Sequence, residues 1–288
     1  MAYQKVFKRH ELKFIVTKEQ KAKILKAMEP HMVPDRYGRS TIRNIYFDTD
    51  DYVLARHSIA KPDFKEKLRI RSYARADRES TVFVELKRKF DHVVYKRRVA
   101  MAEAEAMKWM QGTNAGASGP SGIDLGTDPG ASEQMRKEID YFQSYYSDLR
   151  PMAFLSYNRE AYRMKDPEDS TAIFGSDFRV TFDENILCRD HDISLTSEIY
   201  GDPVLDEDKV LMELKCSGGI PLWMTKVLSE EHIYKTSFSK YGTAYKQYIL
   251  PELPKALNGA AAKAGAGSQA AAKQRGPAVR GLAASYIG

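Results

Sequence analysis

The sequence has few of the residues that build covalent or metal-bound frameworks. It contains two cysteines, Cys188 and Cys216, whose spacing matches no metal-ligand motif. No run of residues approaches the ~18 apolar residues that a transmembrane helix requires. The N-terminal stretch MAYQKVFKRHELKF lacks the apolar core of a signal peptide. We therefore expect a reduced cytoplasmic protein whose thiols are free and mostly buried.

The composition is that of a globular protein with an excess of basic residues. The chain has 288 residues, of which 43% are hydrophobic, so it can bury a sizeable core in one large domain or two small ones. Its formal net charge is +6. This charge indicates an anionic partner, but it does not decide between nucleic acid, a membrane surface and a polyanionic small molecule.

Two segments are too poor in apolar residues to form a core. Residues 112–133 are rich in Gly, Ser and Pro, which predicts a surface loop or a linker to a small domain. From about Leu257 onward the chain is mainly Ala, Gly, Lys and Arg, which predicts a disordered tail. We expect one ordered domain over residues 1–252 and a low-complexity tail over residues 253–288.

The remaining sequence alternates or is rich in β-forming residues, which predicts a strand-rich domain. The predicted strands cover residues 9–16, 41–47, 66–74, 81–90, 93–100, 153–163, 171–175, 178–187 and 209–216. Helices are fewer. Predicted helices begin after Thr17, which forms a capping-box pattern with Gln20, near residue 101, and at Ser132, Pro221 and Ser239.

Most of these strands have one charged face. In KEKLRIRSY, Lys67, Arg69 and Arg71 alternate with Leu68 and Ile70, so the cations share one side of the strand. The same pattern groups Glu11 with Lys13, Glu85 with Lys87, Lys96 with Arg98, Tyr157 with Arg159, Arg179 with Thr181 and Asp183, and Glu213 with Lys215. We predict an α+β, mainly β fold. It is an eight-stranded antiparallel barrel whose apolar faces pack against flanking helices and whose charged faces line a tunnel.

A tunnel lined by Arg and Lys is expected to bind an extended polyanion. Like charges repel when the tunnel is empty, and guanidinium groups suit phosphate oxygens. Among the acids, Glu213 is our first candidate to hold Mg²⁺ or Mn²⁺ against phosphate, with Glu11 and Glu85 as further candidates. Internal ion pairing is the alternative, especially for Glu85. Ser239 and Lys240 form either an anion site at a helix start or a plain capped helix.

Taken in order, these motifs resemble the polyphosphate polymerase (VTC) domain, a branch of the triphosphate tunnel metalloenzymes. The resemblance covers RHELKF, RNIYFDTDDY, KLRIRSY, FVELKRKF, YKRRV, SYNREAY, RVTFDENI, LMELK and SFSKYGTAY, from about residue 5 to 250. It implies an eight-stranded tunnel that uses Mn²⁺ or Mg²⁺ to transfer the γ-phosphoryl group of ATP to a growing polyphosphate chain. It also implies a membrane partner supplied by another chain, and hence a location that is cytoplasmic or peripheral to a membrane.

The resemblance assigns roles to individual residues. Those implied to bind phosphate are Lys13, Arg69, Arg71, Lys87, Lys96, Arg159, Arg179, Ser239 and Lys240. Glu213 is implied to hold the metal, and together with Arg69, Arg71, Lys87 and Lys96 it forms the implied catalytic set. The hydrolytic branch of the superfamily begins with Glu-x-Glu-x-Lys, whereas this chain has Arg9 at the first position, which favours the polymerase branch.

Three rival functions stay open at this point. A triphosphatase would use the same tunnel with water as the acceptor, and a binding module would hold polyphosphate without chemistry. Nucleic-acid binding is weaker, because Tyr157, Tyr162 and Tyr241 are equally natural as packing residues. We also expect Arg43 and Tyr46 to be structural.

Overall fold

A computed structural model of the chain describes residues 10–60, 62–90, 93–112, 129–146, 148–165 and 178–253. The strands are His10–Thr17 (β1), Met32–Asp48 (β2), Phe64–Ser72 (β3), Thr81–Phe90 (β4), Val93–Ala102 (β5), Arg150–Met164 (β6), Arg179–Arg189 (β7), Asp202–Pro203 (β8) and Lys209–Cys216 (β9). The α-helices are Lys18–Met28 (α1), Val53–Ala60 (α2), Glu103–Met110 (α3), Pro129–Tyr145 (α4), Leu222–Glu230 (α5), Lys240–Ala244 (α6) and Leu250–Glu252 (α7). A π-helical turn, Tyr245–Ile249, joins the last two helices.

The strands form one antiparallel, nine-stranded sheet. Eight strands follow the order β1-β9-β7-β6-β2-β3-β4-β5, and the two-residue β8 pairs with β7. The sheet curls strongly. Glu11 lies on β1, the first strand of this path, yet it is 3.5 Å from Lys87 on β4, which is near the opposite end of the path. A closed eight-stranded barrel is not confirmed, because β1 and β5 do not pair within the described residues. The backbone of Lys13 instead accepts a 2.7 Å hydrogen bond from Thr236, which occupies part of the edge of β1 that closure would need.

The apolar strand faces pack against helices outside the sheet, as predicted. Leu68 on β3 and Leu86 on β4 share a buried cluster with Trp109 of α3 and Phe142 of α4. A second cluster joins β1, β7 and β9 to α1 and α5. Full burial of each large apolar side chain contributes about 1.5–3 kcal/mol, so the outer helices are a main source of stability for the sheet.

The inner face of the sheet is divided into an apolar part and a charged part. Tyr46 and Leu155 pack with Tyr241 and Tyr245 of the C-terminal helices, which fill one part of the concave surface. The ring of Tyr46 stacks on Tyr241 at 4.7 Å, and the Tyr241 hydroxyl donates to the buried Asp48 carboxylate at 2.9 Å. This anchored helix leaves the rest of the concave surface to charged side chains.

Several predicted boundaries differ from the structure for identifiable reasons. β2 begins at Met32 rather than residue 41, since a bulge between Pro34 and Arg39 interrupts its alternation. α2 was not predicted, because its first amides bind Asp48 and Thr49, which lie several residues upstream. α4 begins at residue 129 rather than 132. The predicted strand at 171–175, most of the predicted loop and nearly all of the tail lie outside the described residues.

Candidate active site

Strand register places charged side chains in rows across the concave face. Arg69 on β3 faces Glu85 on β4, which faces Arg98 on β5. A parallel row aligns Lys67, Lys87 and Lys96 on the same three strands. We call this surface the charged cleft. Its members are Glu11, Lys13, Lys67, Arg69, Arg71, Glu85, Lys87, Lys96, Arg98, Arg159, Asp183, Glu213, Lys215 and Lys240.

Glu85 is enclosed by cations. It is 1% exposed and accepts hydrogen bonds from Arg69 at 2.7 and 2.9 Å and from Arg98 Nε at 2.7 Å. Lys96 Nζ lies 2.8 Å from it and Arg71 Nε 3.9 Å. Burial alone would raise the pKa of the Glu85 carboxyl, but these four cations hold it well below its usual value. Glu85 therefore orders the basic side chains around it.

A second acidic centre lies on β7 and β9. Asp183 is fully buried. Its two carboxylate oxygens accept hydrogen bonds from Nε and Nη2 of Arg159, each at 2.6 Å. Lys240, the first residue of α6, also reaches Asp183, at 2.5 Å. Glu213 lies 3.5–3.7 Å from Arg159, Lys13, Lys215 and Lys240. Burial opposes the ionisation of Glu213, yet these neighbours hold its pKa well below the usual value.

Lys67 has no carboxylate within 4 Å among the described residues, unlike its cationic neighbours. Its ammonium donates to the Ser239 hydroxyl at 2.8 Å, and the same hydroxyl caps α6 by accepting from the Gly242 amide at 3.1 Å. Burial and the charges of Lys13 and Lys87 hold the pKa of Lys67 well below its usual value. An anion placed beside Lys67 and Ser239 would relieve that repulsion.

The carboxylates differ in their fitness for a divalent cation. Within the described residues, no three His, Cys, Asp or Glu side chains converge as metal ligands. The oxygens of Glu85 are already saturated by close ion pairs, so this residue does not fit. Glu213 and Glu11 make only longer contacts of 3.5 Å or more, which leaves their oxygens able to bind. They suit Mg²⁺ or Mn²⁺ that draws its remaining ligands from phosphate and water.

Of the residues predicted to bind phosphate or metal, the structure brings together all but Arg179. Arg179 lies at the beginning of β7, is 46% exposed, and forms an ion pair with Asp35 at 2.9 Å. Arg9 lies outside the described residues. Sequence reasoning gave no site role to Lys67, Arg98, Asp183 or Lys215, although the same alternation places each of them on the charged side of its strand.

Tyr157 connects two cationic groups of the cleft. Its hydroxyl accepts from Arg71 at 3.1 Å, and its ring lies beneath Arg159 and Lys240 at 5.3 and 4.5 Å. Burial would raise the pKa of Tyr157, but these cations lower it. The alternation placed Tyr157 on the same face as Arg159, but it gave no sign of the contacts with Arg71 and Lys240.

The curled sheet face carries nine of these cations and all four carboxylates, and α6 adds Lys240, an arrangement suited to anionic groups. The chain belongs to the VTC domain family, whose model matches residues 8–249. No curated protein matches the chain. Within the described residues, no helix has both the length and the apolar character needed to cross a bilayer.

Solved structures of low identity are also similar. A Bacillus halodurans protein described as a candidate adenylate cyclase is 16% identical, with a TM-score of 0.45, over 81% of this chain and 95% of that chain. The PH1819 protein of Pyrococcus horikoshii is 10% identical, with a TM-score of 0.37, over 85% of this chain and all (100%) of that chain. With TM-scores below 0.5, neither similarity bears on function.

Proposed function

We propose that the protein is a polyphosphate polymerase that transfers the γ-phosphoryl group of ATP to the end of a polyphosphate chain. The observation that supports this most directly is the excess of cations over carboxylates in the charged cleft, where Lys67 has no carboxylate within 4 Å among the described residues. Triphosphate and polyphosphate supply a row of oxyanions that matches the rows of Arg and Lys across β3, β4 and β5.

The chain's own residues bind and align the two substrates. Arg69, Arg71 and Lys96 remain beside Glu85, which holds their side chains in fixed orientations before any substrate arrives. Lys67 and Ser239 bind a phosphate near the start of α6. A divalent ion held by Glu213 and Glu11 would neutralise charge on the phosphate oxygens when bound.

The reaction requires no side-chain nucleophile. The terminal phosphate oxygen of the acceptor attacks the γ-phosphorus in line, a new P–O bond forms, and the bond from γ-phosphorus to the bridging oxygen of ADP breaks. The electron pair of that bond leaves with ADP. Cations around the cleft stabilise charge that spreads over the transferring group.

The direct test is ³¹P NMR of the full chain with ATP, Mg²⁺ and a short polyphosphate primer. We expect an internal-phosphate resonance to grow together with ADP. Lys67→Met and Glu213→Gln should each slow this growth by about tenfold or more, because each removes charge that acts on the phosphates. Arg78→Ala is the matched control, since Arg78 is an exposed cation outside the cleft and its loss should leave the rate unchanged.

Other outcomes would contradict the proposal in distinguishable ways. Release of orthophosphate alone, with no internal-phosphate signal, would make the protein a triphosphatase that uses water as acceptor. Broadening of the ATP or primer resonances without turnover would make it a polyphosphate-binding module. Equal rates in all the variants would place the chemistry outside the charged cleft.

A further inference from the structure

Arg43 is a buried cation on the outer side of the sheet. Its side chain points away from the charged cleft, because its neighbour Asn44 shares the inner face with Arg71. The residue is 5% exposed, and no carboxylate lies within 4 Å of it among the described residues. Nη1 donates to the carbonyl oxygens of Leu195 and Ser197 at 3.1 and 2.5 Å, whereas Nε has no hydrogen-bond partner. A buried charge in this state is costly unless a ligand completes it.

Arg43 lines a surface cavity of about 480 Å³. Arg39, Arg75, Tyr37 and Tyr73 also line it, together with Ser40, Thr41, Ala74 and Ile199. The cavity lies where β2 extends beyond the last residue that pairs with β3. The guanidinium, phenol and hydroxyl groups around this cavity can all donate hydrogen bonds to the oxygens of a phosphate group.

The other charges at the cavity are already balanced. Arg75 forms an ion pair with Glu198, and Arg39 lies 3.6 Å from Glu184. Nearby Arg189 lies 3.7 Å from Asp192. Burial and the proximity of Arg75 lower the pKa of Arg43. Among the described residues, Arg43 is the arginine at the cavity that has no carboxylate within 4 Å, and Glu198 attracts it only from farther away.

The cavity borders one end of the charged cleft. The hydroxyl of Tyr73 accepts from Arg98 Nη2 at 2.7 Å, and Arg98 in turn donates to Glu85. Tyr73 thus contributes to both surfaces. A polyphosphate chain that leaves the cleft at this end would reach Arg75 and Arg43 next.

We propose that the cavity around Arg43 is a second oxyanion site, separate from the charged cleft, that binds a phosphate group. The phosphate comes either from a free pyrophosphate-like ligand or from a polyphosphate chain that extends out of the cleft. In both cases a phosphate oxygen accepts a hydrogen bond from the part of the Arg43 guanidinium that lines the cavity.

The test is calorimetric titration of the full chain with pyrophosphate and, separately, with polyphosphate of about twenty phosphates. Ala74→Asp places a carboxylate at the cavity, which should occupy Arg43 and weaken anion binding there by about tenfold or more. Ala22→Asp, at an exposed position on α1, makes the same charge change elsewhere and serves as the matched control. Lys67→Met weakens anion binding in the charged cleft, so it distinguishes a free anion at the cavity from a chain that is held by the cleft.

If the Lys67→Met protein still binds pyrophosphate, and Ala74→Asp removes that binding, the site takes a free anion. If only long polyphosphate responds to Ala74→Asp, and Lys67→Met abolishes that response, the site holds the emerging chain. The proposal is overturned if Ala74→Asp affects neither ligand more than Ala22→Asp does. Because no phosphoryl transfer is measured, failure here is distinct from failure of the proposed function.

A second measurement does not depend on the folding of Ala74→Asp. In wild-type protein labelled with ¹⁵N-arginine, the Nε–H resonance of Arg43, assigned by its loss in Arg43→Lys, should shift on addition of pyrophosphate or polyphosphate. A resonance that stays in place with both ligands at saturation would overturn the proposal.

Discussion

Replacing Glu85 by Gln removes the one negative charge at the centre of the β3–β5 cations. The carboxylate is 1% exposed and is held by Arg69, Lys96 and Arg98 at hydrogen-bond distance. The neutral amide keeps the volume but cannot balance these charges, and its NH₂ group faces donors. Breaking a buried ion pair in this way costs about 3–5 kcal/mol in free energy of unfolding. That is a large part of the ~5–15 kcal/mol by which a typical domain is stable.

Urea denaturation of wild type and Glu85→Gln, followed by tryptophan fluorescence, measures this difference. Glu79→Gln is the control, because Glu79 is an exposed acid on the turn before β4 and its loss should not move the midpoint. Tripolyphosphate should restore part of the lost stability, since it supplies oxyanions to the same cations. A decrease below about 1 kcal/mol in Glu85→Gln would refute the reasoning, because exposed pairs alone give effects of that size.

The pH dependence of this contribution follows from the lowered pKa of Glu85. A carboxyl with a folded-state pKa below its unfolded value stabilises the fold above the unfolded value, and the contribution is lost as pH falls through the folded pKa. The difference in free energy of unfolding between wild type and Glu85→Gln should therefore be largest near pH 7 and should decrease at acidic pH. A gap that grows as the pH falls would contradict the assignment of Glu85 as a charged partner.

Three further predictions concern neighbouring groups. Burial lowers the pKa of Lys96 to about 8 despite the attraction of Glu85. The affinity for tripolyphosphate, measured by calorimetry, should therefore weaken between pH 7 and 9. Lys96→Arg should reduce this dependence of affinity on pH. Tyr241→Phe removes the donor to Asp48 and should lower the free energy of unfolding by about 1–3 kcal/mol in urea denaturation. Ser239→Ala removes the cap of α6 and should lower it by about 1 kcal/mol. Unchanged slopes or midpoints in these variants would contradict the respective contacts.

The alternation of charged and apolar residues could be interpreted without coordinates, because strand periodicity alone places alternate side chains on opposite faces. KEKLRIRSY and FVELKRKF predicted both the cationic face and the apolar face that packs on helices, and both are confirmed. The helix starts at Thr17 and Ser239 could likewise be predicted from local sequence, because capping depends on residues three positions apart. The family resemblance covered nearly the same residues as the VTC model.

Only the tertiary structure decided which charges meet. The pairing of Lys67 with Ser239, 172 residues apart, and of Lys240 with Asp183 depends on how α6 enters the curled sheet. β1 and β5 do not pair within the described residues, and no local pattern predicts the backbone bond from Thr236 to Lys13 at the edge of β1. Periodicity specifies a residue's face but not its partner across the fold. The sequence alone therefore could not tell that four cations surround Glu85, whereas no carboxylate of the described residues lies within 4 Å of Arg43.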